Sequence, residues 1–253
     1  MRAWLAALVA AFRFLTIFPL PGRLGTSSDA LARSTVFFPV VGLALGIFAL
    51  AASWLATLVL PGPVASVLLV LVLLCFSGGL HADGLADTAD GFFSARPREK
   101  ILEILRDSRI GAMGVLALIM VLALKTASLA VLDQQAFFRA SLLMPLLGRA
   151  AIVLTMAMLP YARSEGGLAT LFYGRPVRRA ALFALALAFV CCLALLGLDG
   201  LALVMAWLTL TGLFARLCKK KIGGATGDTL GAFCELSEAL VPFFLCLHAG
   251  NPA

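Results

Sequence analysis

Long continuous apolar runs recur along the chain, at 36–60, 64–80, 113–132, 140–160, 180–198, 201–217 and 229–248. A helix crosses a hydrocarbon core in about 20 residues, so each run predicts one transmembrane helix. The runs do not alternate with period two, which excludes a closed barrel. The pattern therefore predicts an all-α, polytopic integral membrane helix bundle of seven spans. The first twenty residues differ. On a helix Arg2 and Arg13 share one side while Trp4, Leu8, Phe12 and Leu15 share the other, and "FPLPG" stops the helix. We read an N-terminal interfacial helix. A true eighth span across 4–20 is the alternative; a signal peptide is disfavoured because Arg13 interrupts its apolar run. There is no internal repeat and no low-complexity linker, so residues 1–253 read as a single integral membrane domain.

Composition agrees: 62% of the 253 residues are hydrophobic and 13% charged, against about 25% charged in soluble domains. Mean hydropathy is +1.05. The formal charge of +7 would point to nucleic acid in a soluble protein, but its placement gives another reading. Arg2, Arg13, Arg23 and Arg33 precede the first span. Arg96, Arg98, Lys100, Arg106 and Arg109 lie between the second and third, Arg163, Arg175, Arg178 and Arg179 between the fourth and fifth, and Arg216 with Lys219 to Lys221 between the sixth and seventh. The opposite loops, 61–63, 133–139 and 199–200, offer only Arg139. The positive-inside rule then places the large loops and the amino terminus in the cytoplasm and the carboxyl terminus outside, with no nucleic acid as partner. The six cysteines show no zinc-type pairing and read as buried thiols.

Three polar segments share that side: 81–112, 161–179 and 216–228, the last opening the stretch "KKKIGGATGDTLGAF". The first follows the apolar run with "GGLHADGLADTADGFF". Asp83, Asp87 and Asp90 stand at i, i+4 and i+7, within an arc of about 60° on a helix. Carboxylates so placed repel one another, and a divalent cation relieves that repulsion. An all-oxygen set suits Mg²⁺ or Mn²⁺, which share carboxylates with substrate phosphates. A solvated acidic helix end is the plainer alternative. His81 precedes the acids and reads as a supporting group more readily than as a metal ligand. Gly224, Thr226, Gly227 and Asp228 form a glycine-rich turn that either cradles phosphate or is merely a turn. Glu235 lies seven residues beyond Asp228 on the same helical face, and Glu238 borders that face. Lys125 and Arg149 fall inside apolar runs, where a charge needs a partner. They either pair with buried acids or contact a diphosphate. Metal, cations and glycine turns at a membrane boundary suit displacement on a diphosphate whose other part is large or apolar.

Four motifs in series, "GGLHADGLADTADG", "RDSRIGAMG", "GR" with "LPYAR", and "GGATGDTLGA", resemble the cobalamin synthase (adenosylcobinamide-GDP ribazoletransferase) family. The likeness runs in order over most of the chain, from "FRFLTIFPLP" to the last span. It implies a Mg²⁺-dependent enzyme of the bacterial inner membrane, its active site facing the cytoplasm. The enzyme would join adenosylcobinamide-GDP to α-ribazole or α-ribazole 5′-phosphate, release GMP, and act late in cobalamin nucleotide-loop assembly beside other late corrinoid enzymes. Carried over by motif position, Asp83, Asp87 and Asp90 become catalytic and metal residues with Asp228, and Asp107 and Arg109 approach the same face. His81, Lys125, Arg149, Arg163, Gly224, Thr226, Gly227, Asp228 and Glu235 are the candidate substrate contacts.

Two other readings stay open. Asp87, Asp90, Gly91, Ala95 and Arg96 nearly reproduce the opening of the CDP-alcohol phosphotransferase motif, with one residue too many before Ala95 and without the later acids. A transporter would use Lys125, Arg149, Glu235 and Glu238 along a path, but the repeated halves common in transporters are absent.

Overall fold

The computed structural model describes residues 2–163, 165–166, 168–174 and 177–249, and all its regular elements are helices. Arg175, one of the basic residues that set the expected topology, lies outside them. α1 (Arg2–Leu15) and α2 (Ser28–Ser34) precede α3 (Phe38–Thr57), to which α2 is joined by one 3-10 turn. α4 (Gly62–Ser77), α5 (Leu80–Phe92) and α6 (Arg98–Ile104) follow, then α7 (Ala112–Ala130) and α8 (Gln134–Met158). A 3-10 turn at Leu168–Gly174 leads to α9 (Val177–Leu196), α10 (Leu198–Ile222) and α11 (Gly227–Ala249).

Among the described residues six helices are long and apolar enough to cross a membrane, and the α4–α5 pair supplies a seventh candidate bent by 92°. This is a multi-pass membrane bundle. The bend sits at Gly78 and Gly79, whose φ values of 60° and 74° are left-handed and favour glycine. It turns α5 across the end of the bundle instead of prolonging α4.

α8 is the central post, its residues from Leu143 to Met156 all buried. Between apolar helices in lipid, close van der Waals contact replaces the hydrophobic drive, so small residues mark the seams. Gly42 and Gly46 of α3 lie against the α8 backbone at Pro145 and Leu142, and Ser53 Oγ meets Ser141 Oγ at 2.8 Å. On the other side Gly148 of α8 admits Cys234 and Glu238 of α11. The large apolar residues left exposed, including Ile119 and Met120 on α7, Leu182 and Val190 on α9 and Met205 on α10, form the surface for lipid.

The alternative of an eighth span falls, and one expectation needs correction. α1 is amphipathic and, at 14 residues, too short to span. It packs inward through Ala7, Ala10, Ala11 and Leu15, while Trp4 and Leu5 are exposed. The reason is steric, since the Gly25 backbone presses on Ala6 and Ala10, leaving no room for large side chains. Trp4 and Leu5 remain on the free face, as suits a helix lying in an interface. The polar segments are also shorter than their composition predicts. α10 continues through the lysines to Ile222 and α11 starts at Gly227, leaving a four-residue connection.

Candidate active site at the polar end of the bundle

The segment that follows α8 and the turn that precedes α11 are tied together by backbone and cation contacts. Ala225 N donates to Pro160 O and Ala162 N to Ala225 O, both at 2.9 Å, forming an isolated parallel bridge between "LPYAR" and the glycine turn. Arg98 donates to Ile222 O and Ala162 O, each at 2.8 Å, and Lys221 Nζ to Phe92 O at 2.6 Å. At Ile222 and Phe92 these cations satisfy carbonyls that the ends of α10 and α5 leave open. The three polar segments thus converge.

α5 presents its acids above this junction. Gly84 of α5 lies against the Asp228 backbone, where a Cβ would come within 2.6 Å of Asp228 O. That contact brings the acidic helix onto the start of α11. Asp83 is exposed and Asp87 half-buried. Burial, then the charges of Asp83, Asp228 and Asp90, push the Asp87 carboxyl up to about 7 against the opposing pull of Arg163. Asp228 is held from two sides: Arg163 Nη2 donates to its Oδ2 at 2.8 Å and Thr226 Oγ1 at 3.1 Å. Arg163 also donates to Leu105 O at 3.1 Å. Thr226 and Thr229 cap α11 reciprocally, Thr226 N donating to Thr229 Oγ1 at 2.8 Å and Thr229 N to Thr226 Oγ1 at 3.3 Å.

Two clefts flank Asp228 and Arg163. One, of about 190 Å³, is walled by Phe14, Phe38, Phe172, Ile152 and Met156, with His81, Asp83, Gly227 and Asp228 also in its lining. The other, of about 260 Å³, is polar, with Arg98, Arg106, Arg163, Glu99, Glu103 and Glu165 along it. An acidic cluster between an aromatic cleft and an arginine-bearing one fits a substrate with a diphosphate at its centre.

The family model described as Cobalamin-5-phosphate synthase matches residues 7–246. The chain belongs to the cobalamin-5-phosphate synthase family. It is 41% identical over 246 residues to a protein of Desulforamulus reducens, covering 96% of each chain. It is 43% identical over 244 residues to one from Roseiflexus sp., covering 94% of this chain and 88% of the relative. For one from Klebsiella pneumoniae the figures are 42% over 242 residues, 94% and 97%. All three are named adenosylcobinamide-GDP ribazoletransferase. No solved structure matches the chain.

Within this cobalamin synthase fold several expected site residues have other work. Asp90 caps α7: its Oδ2 accepts from Gly111 N at 2.7 Å and its Oδ1 from Gly114 N at 2.8 Å. A Cβ at Gly114 would come within 2.5 Å of that carboxylate, which accounts for the glycine spacing in "IGAMG". Asp90→Ala should therefore cost about 1–3 kcal/mol through the two unpaired amides, read as a lowered unfolding temperature in detergent. Lys125 and Glu235, expected as substrate contacts, pair with each other. Lys125 Nζ reaches Glu235 Oε2 at 2.5 Å and Glu238 Oε2 at 2.8 Å, all buried, and Arg149 pairs with the other oxygen of Glu238. The two cations and two anions neutralise one another instead of lining a transport path.

Asp107 and Arg109 bond each other across an exposed loop, Oδ2 to Nη2 at 2.6 Å. That guanidinium holds the Asp107 carboxyl down at about 2. Each is thus engaged by the other, while their loop touches the acidic helix through the Gly111 N donation to Asp90. Gly224 lies flush against the Pro160 carbonyl, so its lack of a side chain serves that close packing. Gly227, where a Cβ would meet the Ala169 side chain at 4.0 Å, does line the aromatic cleft. Among the described residues no three acid, histidine or cysteine side chains gather as a ready metal cage. The crowding of Asp87 by Asp83 and Asp228 nonetheless fits a cation that takes its remaining ligands from phosphate and water. The sequence reading missed Phe14, Phe38 and Phe172, three ordinary apolar residues far apart in the chain.

Proposed function

We propose that this protein is an adenosylcobinamide-GDP ribazoletransferase acting at the cytoplasmic face of a bacterial inner membrane. The observation that carries the reading is the acid cluster of Asp83, Asp87 and Asp228, with Arg163, between an apolar cleft and a polar, arginine-bearing one. The ribazole hydroxyl oxygen attacks the phosphorus that bears cobinamide, the bond to the bridging oxygen of the diphosphate breaks, and GMP leaves. The hydroxyl proton passes to a carboxylate or to water. Arg163, Arg98 and Arg106 supply positive charge for the equatorial and departing oxygens. Asp83, Asp87 and Asp228 would hold Mg²⁺, while Asp90 supports them by fixing α5 to α7. Bound there, the metal neutralises the diphosphate and the charge that develops on GMP.

The abundance of arginine and lysine on this side of the bundle supports the cytoplasmic orientation. Association with other late corrinoid enzymes belongs to the same proposal and is read by copurification from mild detergent. The reading is tested by supplying the purified protein with adenosylcobinamide-GDP and α-ribazole 5′-phosphate and weighing the corrinoid product. The expected mass is that of the two substrates less GMP. Turnover of a CDP-alcohol instead, or metal-independent uptake into vesicles without GMP, would contradict it.

A further inference from the structure

The aromatic cleft raises the question of which half of the reaction it serves. Its walls come from five helices and the 3-10 turn, and three rings form its box. Phe14 and Phe172 have centroids 4.6 Å apart, Phe38 and Phe172 5.5 Å, and Phe14 and Phe38 5.9 Å. Leu80, Ile152, Met156 and Leu230 add aliphatic surface. One buried polar atom of this lining has no hydrogen-bond partner among the described residues: His81 Nε2, on a side chain only 2% exposed. A buried polar atom left unpaired is costly, so such an atom beside a cleft points to a ligand group. Asp83 and Asp228, the diphosphate end of the site, stand in the same lining.

Taking the transferase reading as its basis, we infer that this cleft receives the benzimidazole base of the ribazole, with His81 Nε2 donating to its free ring nitrogen. Size selects among the substrate parts. A cavity of about 150 Å³ takes a single benzene ring, so 190 Å³ admits a small fused-ring base and excludes a corrin macrocycle. Polarity then separates the two bases. Dimethylbenzimidazole carries one ring acceptor and an otherwise hydrocarbon edge, which matches three phenyl rings and one donor. Guanine carries carbonyl, imino and amino groups on several edges. Most would be buried against phenylalanine without partners, and the nearby Asp228 carboxylate is already engaged by Arg163 and Thr226. The base seated here leaves its ribose at the cleft mouth, where its hydroxyl meets the acids. Guanosine is then left to the arginine-bearing cleft beyond Arg163.

The test measures α-ribazole binding to the detergent-purified protein in EDTA, where no turnover occurs, beside KM for each substrate during turnover. Wild-type protein should bind α-ribazole. Phe172→Ala and His81→Ala should each weaken that binding about tenfold, the loss of roughly one aromatic contact or one hydrogen bond. KM for α-ribazole 5′-phosphate should rise in step while KM for adenosylcobinamide-GDP stays within about twofold. Phe172→Leu and His81→Asn, which keep bulk or a donor, should lie between and guard against misfolding. An unchanged ribazole affinity, or a rise confined to KM for adenosylcobinamide-GDP, overturns the assignment while leaving the transferase reading intact. A folded wild-type protein that releases no GMP from the two substrates overturns the transferase reading and the assignment with it.

Discussion

Replacing Asp87 by asparagine should lower the rate of GMP release by about 100-fold or more without lowering the unfolding temperature. The side chain keeps its shape, so nothing in the packing of α5 is lost. What disappears is one negative charge among four. Burial and the carboxylates of Asp83, Asp228 and Asp90 hold the Asp87 carboxyl near 7, well above its ordinary value of 3.8. The raised value fixes the sign of the pH dependence. In the unfolded chain the group ionises near 3.8, in the fold near 7, so the folded state holds the extra proton between those values. Ionised Asp87 therefore opposes folding, and in EDTA wild-type stability should fall as pH rises from about 4 through about 7. Asp87→Asn removes this contribution and should show a flatter profile and an equal or higher unfolding temperature at neutral pH. Because Asp87 is partly solvated, screening keeps the difference small. Loss of activity together with a marked loss of stability would mean that Asp87 is structural.

Removing Glu238 should have the opposite signature. Glu238→Ala leaves Lys125 and Arg149 with only Glu235 between them in a buried cluster. Breaking a buried pair costs about 3–5 kcal/mol because a desolvated charge loses its counter-ion. In a chain of this size that corresponds to a fall of roughly 10 °C in unfolding temperature. Removing one cation together with one anion, as in Lys125→Met with Glu235→Gln, keeps the cluster neutral and should cost less than either single change. Thermal unfolding in detergent, followed by tryptophan fluorescence, separates these outcomes. Normal stability of Glu238→Ala would show that the cluster does not hold α7, α8 and α11 together.

The apolar runs carried the fold far because a bilayer demands continuous hydrophobic helices, and that constraint is written locally. The acidic face of α5 was legible for the same reason: three aspartates at helical spacing need only the helix period. What stayed hidden depends on partners distant in the chain. Nothing near Lys125 announces Glu235 and Glu238, so sequence alone left ion pairing and phosphate contact equally open. Asp90 resembled its neighbours until α7 was seen to start beneath it. In "GGATGDTLGA" the glycines suggested a phosphate cradle, whereas Gly224 serves the close approach of Pro160. The aromatic cleft had no local signal, since Phe14, Phe38 and Phe172 meet only when α1, α3 and the 3-10 turn are packed. α1 was legible as an amphipathic interfacial helix, whereas its inward alanine face follows from close contact with Gly25, which nothing in the local pattern announces.

The central claim is that the acids at the polar end of the bundle serve a metal-assisted transfer on a diphosphate. The most direct measurement is GMP release from adenosylcobinamide-GDP and α-ribazole 5′-phosphate by the purified protein, with Mg²⁺ and then with EDTA. Release of GMP matched one for one by corrinoid product, abolished by EDTA and restored by added Mg²⁺, is the predicted result. Equal release in EDTA, or none from a folded preparation with Mg²⁺, would contradict the account.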